Sequence, residues 1–171
     1  MRTTKYITFS ALISALSIVI LLLGSIVDVL DITAVMITAI FLLIARHEMG
    51  AKALGIYFVT GLIAFLVLPN KLISIEYAII ALYPMIKPAL DKQSAIVKWL
   101  LKLIYILASA LGLVLVMKIF TPDSPLYWDA IFALCYVVIF FLYDVLLFRF
   151  SMYYGFKLRN KLRIDKFFNQ N

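Results

Sequence analysis

Positive charge alternates between the gaps that separate six long apolar stretches of this sequence. Most of the 16 Lys and Arg residues lie before the first stretch, in the second and fourth gaps, or after the last stretch. These residues are Arg2, Lys5, Arg46, Lys52, Lys87, Lys92, Lys98, Lys102, Arg149, Lys157, Arg159, Lys161, Arg163 and Lys166, whereas the other gaps hold only Lys71 and Lys118. Because moving a cationic loop across a membrane is disfavoured, the alternation predicts an all-α, polytopic membrane protein. We expect a six-transmembrane-helix bundle with both the N and C termini in the cytoplasm.

The composition agrees with a membrane-embedded chain. Of the 171 residues, 65% are hydrophobic and the mean hydropathy is +1.08, which indicates that a bilayer serves as the solvent of the fold. The net charge of +7 is explained by membrane topology and by attraction to anionic membrane lipids, rather than by binding to nucleic acid. Cys135 and His47 are single residues of their types, so the sequence predicts no disulfide, no metal site and no cofactor.

The six stretches define a single transmembrane domain over residues 1–171. Their predicted bounds are residues 6–27, 32–45, 53–68, 72–86, 99–120 and 126–148, followed by a basic cytoplasmic tail at 149–171 that suits an interfacial helix. A straight span needs about 20 apolar residues. We therefore expect the second, third and fourth stretches to extend into polar flanks or to lie beside irregular backbone. The first stretch is too long for a signal-peptide core, and the whole pattern favours a multi-pass protein of the bacterial cytoplasmic membrane.

Two alanines near the cytoplasmic end of the first stretch form a small-residue motif. Ala11 and Ala15 are four residues apart and therefore share one helical face, with Ser10 and Ser14 beside them. Small residues at this spacing let a second helix approach closely within lipid. That helix belongs either to the same bundle, which is the simpler interpretation, or to a separate protein.

With its length and six-stretch topology, the chain carrying this motif resembles the S components of energy-coupling factor (ECF) transporters, which capture vitamins and related micronutrients. The resemblance covers the whole chain in length and topology, but only the motif in sequence. It implies that Ala11 and Ala15 dock onto the ECF coupling transmembrane subunit. It also implies that a pocket open to the outside binds a small-molecule substrate, and that ATP-binding-cassette ATPases drive uptake. No vitamin-specific signature is present, so no substrate follows.

Acidic residues collect on the side that the charge pattern places outside the cell. They are Asp28, Asp31, Glu76, Asp123 and Asp129. Glu76 lies about one turn inside the fourth stretch, where an ionisable side chain is costly unless it faces a cavity or finds a partner. It therefore either contacts substrate or reaches the interface, where it can pair with Lys71. Asp31 fits an N-cap of the second helix, and Asp129 fits the first turn of the last helix.

The candidate substrate-binding residues combine some of these acids with nearby polar and aromatic side chains. They are Asp28, Asn70, Lys71, Glu76, Tyr83 and Trp128. Trp128 alternatively belongs to the aromatic belt at the membrane interface. Pro84 should kink the fourth span, because proline removes a backbone donor and clashes one turn back. On the cytoplasmic side, we expect Asp144 to pair with Arg149 or Lys102 in preference to acting in a proton relay.

The sequence carries no constellation that indicates an enzyme. It lacks a Gly-x-x-x-x-Gly-Lys phosphate loop, a Ser/His/Asp set and a His-rich cluster. We therefore predict a non-enzymatic, substrate-capturing membrane subunit. The alternative is a non-transport membrane scaffold similar to the cell-shape protein MreD, which would bind other membrane proteins and need no small-molecule pocket. A membrane-embedded enzyme is the least favoured class.

Overall fold

The structure, a computed structural model, describes residues 2–27, 30–123 and 125–161. Every regular element in this part is helical, which confirms the all-α prediction for the described residues. The helices are α1 (Arg2–Ile26), α2 (Asp31–Met49), α3 (Ala53–Val67), α4 (Lys71–Ile80), α5 (Tyr83–Leu90), α6 (Ala95–Phe120), α7 (Leu126–Tyr153) and the short α8 (Arg159–Lys161). A 3-10 turn, Gly50–Lys52, joins α2 to α3, and a π-helical turn, Tyr154–Leu158, joins α7 to α8.

Within the described residues, five helical segments are long and apolar enough to cross a membrane, judged by length and composition. They are Thr4–Ile26, Asp31–Val67, Lys71–Leu90, Ala95–Phe120 and Leu126–Leu158. These segments are consistent with a membrane-embedded protein. The second segment contains two helices, because Gly50 adopts a left-handed φ of 59° that interrupts α2 before α3 begins. The second and third apolar stretches of the sequence therefore lie in α2 and α3.

Two of the short apolar stretches are accommodated in different ways. α2 extends from Asp31 to Met49 and takes the polar residues after Ala45 into its last turn. The fourth stretch is interrupted: α4 ends at Ile80 and α5 begins at Tyr83. Pro84 explains this break, because its ring would clash with the carbonyl of Ile80 if one helix continued. The predicted kink is present as a short turn between two helices.

The last helix continues past residue 148, where the sequence predicted its end. α7 runs to Tyr153 and passes directly into the π-helical turn. Glu48, at the end of α2, stabilises this extension, because its almost fully buried carboxylate accepts a 2.9 Å hydrogen bond from the Tyr154 hydroxyl. Glu48 also forms an ion pair with Arg159, with a distance of 3.0 Å between Oε1 and Nε. The remaining tail, which includes most of the predicted interfacial helix, lies outside the described residues.

The chain separates into two compact units. Unit 1 takes the described residues within Met1–Met85 and Leu147–Asn171, and unit 2 takes those within Ile86–Leu146. In unit 1, α1 contacts α2, α3 and α4, and both α2 and α3 contact α4. The close approach of α1 and α2 requires Gly24, because a Cβ atom at this position would lie 2.5 Å from the Cβ atom of Ala34.

In unit 2, side-chain pairs join α6 to α7 at three levels. They are the ion pair Lys118–Asp129 at 2.9 Å, the rings of Tyr105 and Phe140 at 5.7 Å, and the ion pair Lys102–Asp144 at 2.6 Å. Residue numbers rise along α6 as they fall along α7, so the two helices are antiparallel. The acid at the start of α7 therefore has a side-chain partner on α6, in addition to the favourable dipole position predicted from the sequence.

Candidate functional site

A groove on α1 and α3 brings the predicted docking alanines to the surface of unit 1. The groove has a volume of about 900 Å³ and includes Ala11 and Ala15 in its lining. Both alanines are exposed, whereas Ile13 and Ser17 on the same helix are buried. Within unit 1, the described helices thus leave both alanines uncovered.

Small residues and one buried hydrogen bond shape the floor of the groove. Ser14 lies between the two alanines in sequence, and its hydroxyl accepts a 3.0 Å hydrogen bond from the Thr60 hydroxyl on α3. The Ser10 hydroxyl is used within α1, where it donates to the carbonyl of Tyr6 over 2.7 Å. Gly55 on α3 has no atom within 4 Å of the place that a Cβ would take. This arrangement leaves room for the backbone of another helix to approach both α1 and α3.

Lys52 gives one end of this otherwise apolar groove a positive charge. Its exposed side chain lies in the lining, and its ammonium is 5.1 Å from the centroid of the Tyr6 ring. Met49 lines the same end, where its sulfur is 3.6 Å from the Ser10 hydroxyl. The turn that begins at Gly50 positions both residues. The sequence placed Lys52 among the topology signals and did not indicate its proximity to the alanine motif.

The structure gives local stabilising roles to two predicted substrate-binding residues. Asn70 is the N-cap of α4, and its side-chain oxygen accepts a 3.0 Å hydrogen bond from the amide of Leu72. The Lys71 ammonium donates to the carbonyls of Phe65 and Leu68 over 2.7 and 2.8 Å. Both side chains thus serve the connection between α3 and α4. At the start of α2, Asp31 is the first helical residue, and Leu30 occupies the N-cap position. Asp31 is therefore not the N-cap that the sequence predicted.

Glu76 occupies a different environment from these two residues. Its side chain is only 5% exposed, and its Oε2 atom has no hydrogen-bond partner in the described part of the chain. The alternative pairing with Lys71 is not formed, since that ammonium is directed to backbone carbonyls at the end of α3. Its neighbour Tyr77 is satisfied, because the phenol donates to the carbonyl of Tyr57 over 3.3 Å. Glu76 is therefore a buried carboxyl group whose position fold stability alone does not explain.

The other three predicted substrate-binding residues fall in different places. Tyr83 is completely buried in unit 1, at the first position of α5. Trp128 belongs to unit 2, where it is exposed and its ring lies 5.7 Å from that of Tyr127. It also lines a small cavity of about 160 Å³ beside Asp129. Asp28 lies outside the described residues.

A cluster of charged side chains on or next to α5, α6 and α7 lies in unit 2. Asp144 pairs with Lys102, as one of the two sequence alternatives predicted, and also with Lys87. Asp91, which is 32% exposed, extends the cluster to Lys98 at 3.3 Å. Lys87 was missed by sequence reasoning because its position in a cytoplasmic gap was already explained by topology. The arrangement joins three helices, with each buried ammonium facing a carboxylate.

Comparisons with known proteins identify no relative of this chain. No protein-family model, no curated protein and no solved structure matches the chain. The groove beside Ala11 and Ala15 and the buried carboxyl group of Glu76 are the features on which a functional proposal rests.

Proposed function

We propose that this protein is a substrate-capturing membrane subunit similar to an ECF S component. In this proposal the chain crosses the bacterial cytoplasmic membrane six times, with both termini in the cytoplasm. A small molecule is captured from the outer side. The α1–α3 groove docks onto a coupling transmembrane subunit, through which ATP-binding-cassette ATPases drive uptake.

The observation that carries this proposal is the exposure of Ala11 and Ala15 in a groove. A small-residue motif buried between two helices of the same chain would have a structural explanation. Here the motif is open, and Gly55 widens the opposite wall. The alternation of Lys and Arg assigns this part of α1 to the cytoplasmic half of the membrane, which is the side on which a coupling subunit with ATPases must act.

The shape and charge of the groove favour one kind of occupant. Its small residues fit a helix that approaches closely enough for backbone atoms to make van der Waals contact. Lys52, which forms no ion pair within the described residues, lies at one end. The occupying helix of the coupling subunit should therefore be apolar over most of its contact surface and carry a carboxylate near Lys52.

Co-purification from the native membrane tests this proposal. Tagged wild-type protein should retain a coupling subunit and ATPases, whereas Ala11→Trp and Ala15→Trp should each lose them, because an indole would fill the groove. Leu12→Trp is the matched control. Leu12 is exposed on the same helix but does not line the groove, so this variant should keep the complex.

Two results would contradict the proposal. One is an intact coupling assembly in both alanine variants, which would exclude the groove as the docking surface. The other is retention of cell-envelope assembly proteins in place of a coupling subunit and ATPases. That result would favour the scaffold alternative, with the groove serving a different partner.

A further inference from the structure

Glu76 is the ionisable exception among the polar side chains at α4. Asn70 caps the helix, Lys71 caps the end of α3, and the Tyr77 hydroxyl donates to a backbone carbonyl. Glu76 and Ser74 have buried oxygen atoms without a hydrogen-bond partner among the described residues. A hydroxyl without a partner is a modest cost. A carboxyl group at membrane depth costs several times more.

Among the described residues, no positively charged side chain pairs with Glu76. Lys71, five residues earlier, is directed to the carbonyls of Phe65 and Leu68. The charge of Asp31, which acts on Glu76, has the same sign. A buried carboxyl group without a partner is destabilising, so a protein retains it when it contributes to function.

We propose that Glu76 anchors a cationic nitrogen of the captured molecule, which therefore belongs to the small organic amines or amidines that are protonated at neutral pH. This inference rests on the proposed capture function. A charge-assisted hydrogen bond from such a nitrogen would satisfy the carboxylate and offset the repulsion from Asp31. A metal ion fits less well, since the described residues bring together no group of three metal-ligating His, Cys, Asp or Glu side chains.

Benzamidinium and benzamide provide a matched pair of probes, because they have nearly the same shape and only benzamidinium is charged. Thermal unfolding of the purified full-length protein in detergent should show saturable stabilisation by benzamidinium and none by benzamide. In Glu76→Gln the apparent affinity for benzamidinium should fall at least about tenfold, since the ionic hydrogen bond is lost. Nickel(II) chloride serves as the metal probe and should give no Glu76-dependent stabilisation.

A second readout uses the empty protein. Glu76→Gln and Glu76→Met should unfold at a higher temperature than wild type, because each removes a buried carboxyl group that lacks a partner. Asp123→Asn, which neutralises an exposed acid, should leave the midpoint unchanged. A lower midpoint in both Glu76 variants, or failure of both to fold, would show a structural role and overturn the proposal.

Different results would contradict the organic-cation inference and the docking proposal. Equal effects of benzamidinium and benzamide, benzamidinium binding unchanged in Glu76→Gln, or Glu76-dependent binding of nickel would overturn the organic-cation inference. None of these results requires the coupling subunit. A coupling assembly that stays intact in Ala11→Trp and Ala15→Trp, with benzamidinium binding retained, would instead overturn the docking proposal alone.

Discussion

Thr60 on α3 donates a 3.0 Å hydrogen bond to Ser14 on α1, and both side chains are buried. The bond fixes the two walls of the α1–α3 groove to each other at the level of the exposed alanines. The groove therefore depends on a polar contact between helices, of the kind that contributes about 1 kcal/mol within membranes.

We expect Thr60→Val to destabilise the protein by about 1 kcal/mol, because it keeps the shape of the side chain but removes the donor to Ser14. Equilibrium unfolding in mixed detergent micelles measures this change. Thr8→Val is the control, since the exposed Thr8 hydroxyl bonds only to the carbonyl of Thr4 within α1. Equal losses in the two variants would show that the interhelical bond adds nothing.

Asp144→Asn should be far more damaging, at about 3–5 kcal/mol, because the buried ammonium groups of Lys87 and Lys102 lose the carboxylate they share. Asp91→Asn removes a carboxylate that is 32% exposed and should cost about 0–1 kcal/mol. Combining Asp144→Asn with Lys102→Met should recover part of the loss, as the second change removes one of the stranded charges. Similar unfolding midpoints for Asp144→Asn and Asp91→Asn would contradict the assignment of Asp144 as the centre of the cluster.

A charge exchange tests the register of α6 against α7. Lys118→Asp places two acids opposite each other and should lower stability by about 1 kcal/mol, because the Lys118–Asp129 pair lies near the end of the hairpin. Adding Asp129→Lys should restore most of this loss by re-forming the pair in reverse. A double-mutant cycle of unfolding free energies measures the coupling. Simple additivity of the two single changes would indicate that these residues do not face each other.

Two glycine-to-alanine changes should differ strongly in their effect on the stability of the protein. Gly24→Ala places a Cβ 2.5 Å from that of Ala34 and 3.0 Å from Cδ1 of Ile73, so α1 must shift at a cost of about 1–3 kcal/mol. Gly55→Ala meets no atom within 4 Å and should change stability by no more than about 0.5 kcal/mol. Thermal unfolding of the two variants in one detergent provides the comparison. A larger loss for Gly55→Ala would contradict the open groove wall.

The apolar stretches and their turn residues predicted most of the helical elements. The break before α5 followed from Pro84, because a single residue with known stereochemistry was sufficient. The extension of α7 was not predictable in the same way. It depends on Glu48 reaching Tyr154, which lies 106 residues away in the sequence, and no local pattern links those two residues.

The candidate site was likewise only partly predictable from local sequence. Spacing alone placed Ala11 and Ala15 on one helical face, but the same spacing suits a motif packed inside a bundle, so exposure had to come from the structure. Asn70 and Lys71 looked like ligand contacts because polar residues at a membrane surface have many uses. Their actual partners are main-chain groups at helix ends, and those groups become visible only when helix boundaries are known.

The two ion pairs of the α6–α7 hairpin also set a preferred membrane thickness. No charged side chain lies between Lys102 and Lys118 on α6, or between Asp129 and Asp144 on α7. Lys118 follows Lys102 by 16 positions, which corresponds to about 24 Å along a helix and less along the membrane normal if the helix tilts. A typical hydrocarbon core is about 30 Å thick. We therefore expect the lipid around this hairpin to thin locally, and the protein to partition into the thinner regions of a laterally heterogeneous membrane.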